Sequence, residues 1–214
     1  MKKVLLRVFS GVVCAGLLCN PTAVYAKRGL PDFVVEQSYA GNDNGTRVLF
    51  AFATNYGSTY RIAEAIAAVL HAEGFKVDLK FADNDTIDLT EYDAVILGSN
   101  IYIEKWNKKA VAFLDKYKTE LASKKVAYYC VCMILGMDMG GKEEEYAANY
   151  LKQISDGYPE IVPMAATAFA GALNYRILLP KDWFLLHLMF AAPGNWTDYG
   201  EVVSWAYELS DKLK

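Results

Sequence analysis

Five short apolar runs, interleaved with stretches of helical periodicity, leave this chain few folds to choose from. Arg47–Thr54, Lys76–Phe81, Asp93–Gly98, Lys125–Leu135 and Ile161–Gly171 read as strands. Asp93–Gly98 is nearly pure apolar, the pattern of a strand buried on both faces. Ser58–Glu73 carries Ile62, Ala65, Ile66, Val69 and Leu70 on one side and reads as a helix that Gly74 ends. Lys108–Tyr117, with Val111 and Leu114 inward, then Glu143–Ile154 and Val202–Leu213 complete the helical set. Strand and helix alternate, so the expected architecture is α/β, a parallel sheet covered by helices on both faces.

One stretch breaks the rhythm. Ala172–Asn195 stands as an insertion before the last helix and contains DWFLLHLMF, apolar on nearly every side. That pattern fits neither a spanning helix nor a surface helix with one dry stripe. Two readings stay open for its central part, Leu179–Ala192: core packed under the last strand, or a peripheral contact with a membrane surface.

The N-terminus reads as a secretory signal. Lys2, Lys3 and Arg7 form a basic head, Val8–Leu18 is a mostly apolar run too short to span a bilayer, and Val24-Tyr25-Ala26 offers a cleavage site. Residues 1–26 are therefore expected to be removed, with 27–45 a flexible lead-in and 46–214 the folded domain. The rival readings are a lipidated Cys19, for which Leu18 is bulky, and a retained anchor. Export places the protein in the periplasm or outside the cell. Loss of the three basic residues and no acidic ones moves the net charge from −3 to −6, which speaks against nucleic acid as a partner. Only Cys130 and Cys132 remain of four cysteines, so no disulfide framework is expected. His71 and His187 have no neighbouring ligand partners in sequence, and no metal site is expected.

In an open parallel sheet, ligands sit beyond the carboxyl ends of the strands. Three loops lie there. In the first, Thr54, Asn55, Tyr56, Gly57, Ser58 and Thr59 place hydroxyls, a glycine and free N–H groups at a helix start, which suits a bound anion. The dinucleotide glycine fingerprint and the lysine of a triphosphate loop are both missing, so a monophosphate ester is the better fit. A simply capped turn is the plainer alternative. The second loop presents Ser99, Asn100, Tyr102 and Trp106, and aromatic rings at a strand end can stack on a flat ligand. The third, Cys130–Gly141, carries methionines and glycines suited to closing over a planar group. Cys130 and Cys132, two apart on a strand, point the same way and read either as buried thiols or as a redox pair.

These residues carry a resemblance. Phe52-x-Thr54-x-x-Gly57-x-Thr59-x-x-x-Ala63-x-x-Ile66 resembles the phosphate-loop signature of flavodoxins. Gly98–Tyr102 with Lys105-Trp106, Ala170–Tyr175, and Gly194–Tyr199 with Trp205-Ala206 resemble one branch, the flavodoxin-domain proteins similar to menaquinone-dependent protoporphyrinogen dehydrogenase. Members of that branch often carry proline where Asn100 stands and glycine where Glu104 stands. The resemblance implies a flavodoxin-like, doubly wound, five-stranded parallel sheet of order 2-1-3-4-5, with bound FMN. It places the FMN phosphate on Thr54, Asn55, Tyr56, Gly57, Ser58 and Thr59. It places the ribityl chain and ring edge on Ser99, Asn100, Ile101 and Tyr102, and Cys132 and Met133 near the other side of the ring. The activity it implies is electron transfer from a reduced donor to a quinone-type acceptor, with protoporphyrinogen as one candidate substrate and no catalytic side chain assigned. The alternative is a soluble flavodoxin-type electron carrier that docks to a redox protein.

Overall fold

The structure, a computed structural model, describes residues 29–42 and 45–214. The expected signal, 1–26, lies outside the described residues. Strands β1 (Gln37–Tyr39), β2 (Arg47–Ala53), β3 (Lys76–Phe81), β4 (Ala94–Tyr102), β6 (Lys125–Cys132) and β7 (Ala165–Ala170) build one sheet in the order β1-β3-β2-β4-β6-β7, and β5 (Lys105–Trp106) pairs back on β4. The five strands from β3 to β7 along that path are parallel, so their order by position in the chain is 2-1-3-4-5. Register runs from Val48 opposite Ala94 to Ala53 opposite Ser99, which brings the ends of β2 and β4 to the same edge.

Alternate residues of β2 enter different cores, as the two-residue period of a strand requires. Val48, Phe50 and Phe52 pack with Ile62, Ile66 and Leu70 of α1 (Ser58–Ala72) and with Val202, Trp205 and Leu209 of α5 (Tyr199–Leu213). Leu49, Ala51 and Ala53 pack with Phe113 and Leu114 of α2 (Lys108–Leu121) and with Tyr150 and Ile154 of α3 (Glu143–Gly157). Helices therefore cover both faces, two on each side, and the strands between them can afford no exposed edge in the middle of the sheet. Gly74, at φ +96°, closes α1. At Gly98 a Cβ would come within 2.4 Å of the Tyr129 hydroxyl, so only glycine lets that ring cross the strand.

Two expectations change. The stretch 27–45 is not wholly a flexible lead-in. Gln37–Tyr39 extends the sheet antiparallel to β3, Val34 is buried, and the Gly29 N–H donates to the Ile177 carbonyl at 2.7 Å. A three-residue polar edge strand has no apolar alternation to announce it. The run read as one strand, Lys125–Leu135, ends at Cys132 and turns into a short 3₁₀ segment, Met133–Gly136.

The insertion is closed at its base. β8 (Ala172–Leu173) pairs antiparallel with β9 (Gly194–Asn195), and α4 (Pro180–Leu188) lies between them. Leu173, Leu178 and Ala191 form a small separate core with Tyr56, Met133, Tyr175, Leu186 and Trp196. The insertion thus sits on the carboxyl ends of the strands, not beneath the last one.

Candidate functional site

The turn from β2 into α1 is shaped by two groups. Gly57 adopts φ +92°, and its N–H donates to the Thr54 hydroxyl at 2.9 Å. A Cβ on Gly57 would stand 2.9 Å from the Phe33 ring, so the close approach of the N-terminal segment and the left-handed backbone both demand glycine. α1 has no side-chain cap, so the amides of its first turn rely on partners outside the helix. Thr59, in that first turn, is completely buried, yet its hydroxyl has no hydrogen-bond partner. Buried hydroxyls are seldom left so, because desolvating one without a partner costs about 1–3 kcal/mol.

The second loop is a hairpin. Ile103 and Glu104 lie at φ +48° and +60° between β4 and β5, the left-handed pair that a two-residue turn requires. Neither residue type favours that region, Ile least of all. Helix α3 braces the turn: the Tyr150 hydroxyl donates to the Glu104 carboxylate at 2.9 Å, and the Gln153 amide donates to the Glu104 carbonyl at 2.9 Å. Asn107 then ties two loops together. Its side-chain amide donates to Asn55 Oδ1 at 2.9 Å and to Asn100 Oδ1 at 2.8 Å, while its own Oδ1 caps α2 by accepting from the Lys109 N–H.

The insertion supplies the lid. Asp182 is 5% exposed and sits in the first turn of α4, where the helix dipole favours a carboxylate. The Tyr56 hydroxyl donates to its Oδ2, and the Tyr102 hydroxyl donates to its Oδ1 at 2.7 Å. Burial first, then the bond to Asp182, pushes the Tyr56 phenol up; for Tyr102 the bond to Asp182 is the main cause of the same rise. Both tyrosines stay protonated and donating throughout the physiological range.

These elements enclose a cavity of about 600 Å³. Of the expected site residues, Thr54, Asn55, Tyr56, Ser58, Asn100, Ile101, Tyr102, Cys132 and Met133 line it together. Gly57 faces a neighbouring cavity roofed by Pro31 and Phe33, and Thr59 lies behind the loop in the first turn of α1. Ser99 does not reach the cavity. It is fully buried, its hydroxyl donates to the Asn100 carbonyl and accepts from the Asn107 N–H, and its work is to shape the loop. Cys130 is buried among core residues and burial pushes its thiol up; Cys132 reaches the cavity wall, where burial also raises it. Both are free thiols. Asp182, Leu185, Leu186 and Met189 also line the cavity, and so do Asn174 and Ile177. An isolated acid within an apolar run hints at Asp182; nothing in the pattern shows that it faces two tyrosines. No Lys or Arg is among the described residues that line this space. No cluster of three or more metal-ligating side chains occurs among the described residues.

The opposite side of α4 is uncovered. Phe184 and Leu188 are each 66% exposed and Phe190 is 93% exposed. Within Leu179–Ala192 only Asp182 and Ala191 are buried and Leu186 is half-buried, so the reading of this stretch as plain core under the last strand fails. No described helix is long and apolar enough to cross a membrane.

Comparison with known proteins matches residues 49–197 to the flavodoxin domain family. The chain belongs to that family. Among curated relatives, the protoporphyrinogen IX dehydrogenase [quinone] of Escherichia coli K12 is 24% identical over 176 residues, covering 77% of this chain and 94% of that enzyme. Among solved structures, oxidised flavodoxin 1 from Bacillus cereus superposes with a TM-score of 0.51 at 15% identity, over 79% of this chain and all of the other. The flavodoxin domain accounts for the parallel sheet and the three loops. The segment before Leu49, with its buried Val34 and strand β1, lies outside the matched span.

Proposed function

We propose that this protein is an exported FMN-dependent oxidoreductase that passes electrons from a reduced donor to a quinone-type acceptor. One observation carries the reading: the buried, partnerless hydroxyl of Thr59 at the uncapped start of α1, one residue on from Ser58, which lines the cavity framed by the three loops of a flavodoxin domain. A phosphate monoester fits this donor set. Thr54, Ser58 and Thr59 offer hydroxyls, the first-turn backbone of Ser58 and Thr59 offers N–H groups, and the helix dipole adds to them. No cation lines the main cavity among the described residues, and Arg61 lines the neighbouring one together with Tyr56, Gly57 and Ser58, which suits a single phosphate rather than a longer polyphosphate. The ring portion would lie along Asn100–Tyr102 on one side and Cys132–Met133 on the other.

FMN, when bound, supplies the redox chemistry. The protein's own groups orient and enclose. Asn107 holds the first two loops in register through Asn55 and Asn100. The Tyr150–Glu104 bond holds the hairpin against α3. Leu185, Leu186 and Met189 give the cavity an apolar wall on the side of the insertion. Glu104 and Asp182 are the only charged groups among the lining residues, so a neutral, apolar acceptor is preferred over an anionic one. The E. coli relative's name gives protoporphyrinogen IX and a quinone; the quinone is the part that suits this lining. The exposed flank of α4 and the turn after it, with Phe184, Leu188 and Phe190, supports contact with a lipid surface from which such an acceptor is drawn. Export rests on the reading of residues 1–26.

The test is direct. The purified mature chain should be yellow, release FMN on denaturation, and be reoxidised by a menaquinone analogue more rapidly than by a soluble redox protein. A colourless chain that takes up no added FMN removes the cofactor. Preference for the redox protein turns the reading to an electron carrier.

A further inference from the structure

Three separate parts of the chain meet at one buried carboxylate. Tyr56 belongs to the turn before α1, Tyr102 to the hairpin after β4, and Asp182 to the insertion. The Leu179 N–H adds a longer bond of 3.4 Å to the Tyr56 hydroxyl, just before α4 begins. Among the described residues, Lys181, also in the first turn of α4, adds a further polar contact to the first two loops, on Tyr102. Beyond its first turn, α4 and Met189 just after it line the cavity with apolar side chains, Leu185, Leu186 and Met189. Apolar contact is non-directional and tolerates sliding; the bonds to Asp182 do not.

We propose that Tyr56, Asp182 and Tyr102 form a latch that holds α4 shut over the cavity and so sets how fast the cofactor enters and leaves. Asp182 is a positioning residue in this role, not a catalytic one. The inference rests on the FMN reading for its ligand, but the latch itself is a property of the chain. Opening exchanges two hydrogen bonds to the buried Asp182 carboxylate for bonds to water, and bonds to a charged group keep a net advantage in that exchange, so the closed form is favoured. The neck formed by β8 and β9 stays paired during opening, because the hinge lies in the loops that flank α4. On the exit side the backbone already departs from helical geometry at Phe190, with φ +54°. The Lys181 ammonium stands 5.5 Å from the centre of the Tyr102 ring, a cation–π contact that also favours the closed arrangement.

The experiment uses the full mature chain with and without FMN. Asp182→Asn keeps the size but leaves only one acceptor for two donors. Asp182→Ala removes both acceptors, and Tyr102→Phe removes one donor. Two quantities are read: the rate of FMN release, and amide hydrogen exchange in peptides covering residues 178–190 of the FMN-free chain. The latch predicts that Asp182→Asn speeds FMN release about tenfold and helix exchange by a similar factor, with β2 and β4 amides unchanged. It also predicts that Asp182→Ala with Tyr102→Phe is no faster than Asp182→Ala alone, because the unit is already broken. Equal acceleration in β2 and β4 would make Asp182 a plain stability residue and overturn the proposal. So would unchanged exchange across 178–190 in all the variants. If the chain binds no FMN, the cofactor reading fails, while the exchange arm still decides on the latch.

Discussion

Replacing Thr59 with Val should stabilise the FMN-free protein and weaken its cofactor binding, two effects of opposite sign from one atom. Val is close in shape to Thr, and the site is fully buried, so packing changes little. What disappears is a hydroxyl with no partner. Leaving such a group dry and unpaired costs about 1–3 kcal/mol, so its removal should raise apoprotein stability by about 1–2 kcal/mol. In a chain of this size that is a rise in melting temperature of about 2–8 °C. A hydroxyl that bonds a phosphate is worth about 1.5–3 kcal/mol, so the dissociation constant for FMN should increase by about 10- to 150-fold. Urea denaturation of the apoprotein gives the first number, and quenching of FMN fluorescence on titration gives the second. An apoprotein that loses stability, or an FMN affinity that does not move, would refute the assignment of the Thr59 hydroxyl to the phosphate.

Three further outcomes follow from the geometry. Burial raises the Asp78 carboxyl, but hydrogen bonds from Ser38 and Arg47 outweigh it and hold it below the usual range. Its stabilisation is therefore full above about pH 4 and fades as pH falls through the lowered value. Asp78→Asn should cost about 1 kcal/mol at pH 7, a modest figure because Arg47 is partly solvated, and the gap to wild type should narrow below pH 4 in denaturation curves. Ile103→Asn should stabilise the hairpin by about 1 kcal/mol, since Asn tolerates the left-handed backbone and Ile103 is two-thirds exposed; a loss of stability would show that the Ile side chain is needed where it is. A small alkylating reagent should modify Cys132 slowly and Cys130 not at all in the native state, and added FMN should protect Cys132; equal labelling by mass spectrometry would contradict the burial.

The parallel strands were legible because most are near-continuous apolar runs and Lys76–Phe81 alternates apolar with polar, and the covering helices because their apolar faces recur at helical spacing. Ile62, Ile66, Val69, Leu70 and Leu114 are buried as that spacing requires. Strand β1 was not legible, because Gln37-Ser38-Tyr39 at a sheet edge needs no buried face. The hairpin at Ile103-Glu104 was hidden for a different reason: tertiary bracing by Tyr150 and Gln153 holds residues that no turn preference would choose. Asn107 could be read as the cap of α2, yet its amide's second task, bridging Asn55 and Asn100, exists only once three loops have met. The insertion resisted for the plainest reason. A helix that is apolar all round carries no mark of which side faces the protein, and only the position of Asp182 decides it.

The proposed ligand has two parts, a phosphate at the turn before α1 and a flat ring in the cavity beyond it. Parallel titration of the wild-type apoprotein with FMN and with riboflavin separates these two parts, because the ligands differ only in the phosphate. Two or more charge-assisted hydrogen bonds predict that FMN binds about 100-fold tighter or more. Equal affinities, or binding of neither ligand, would contradict it.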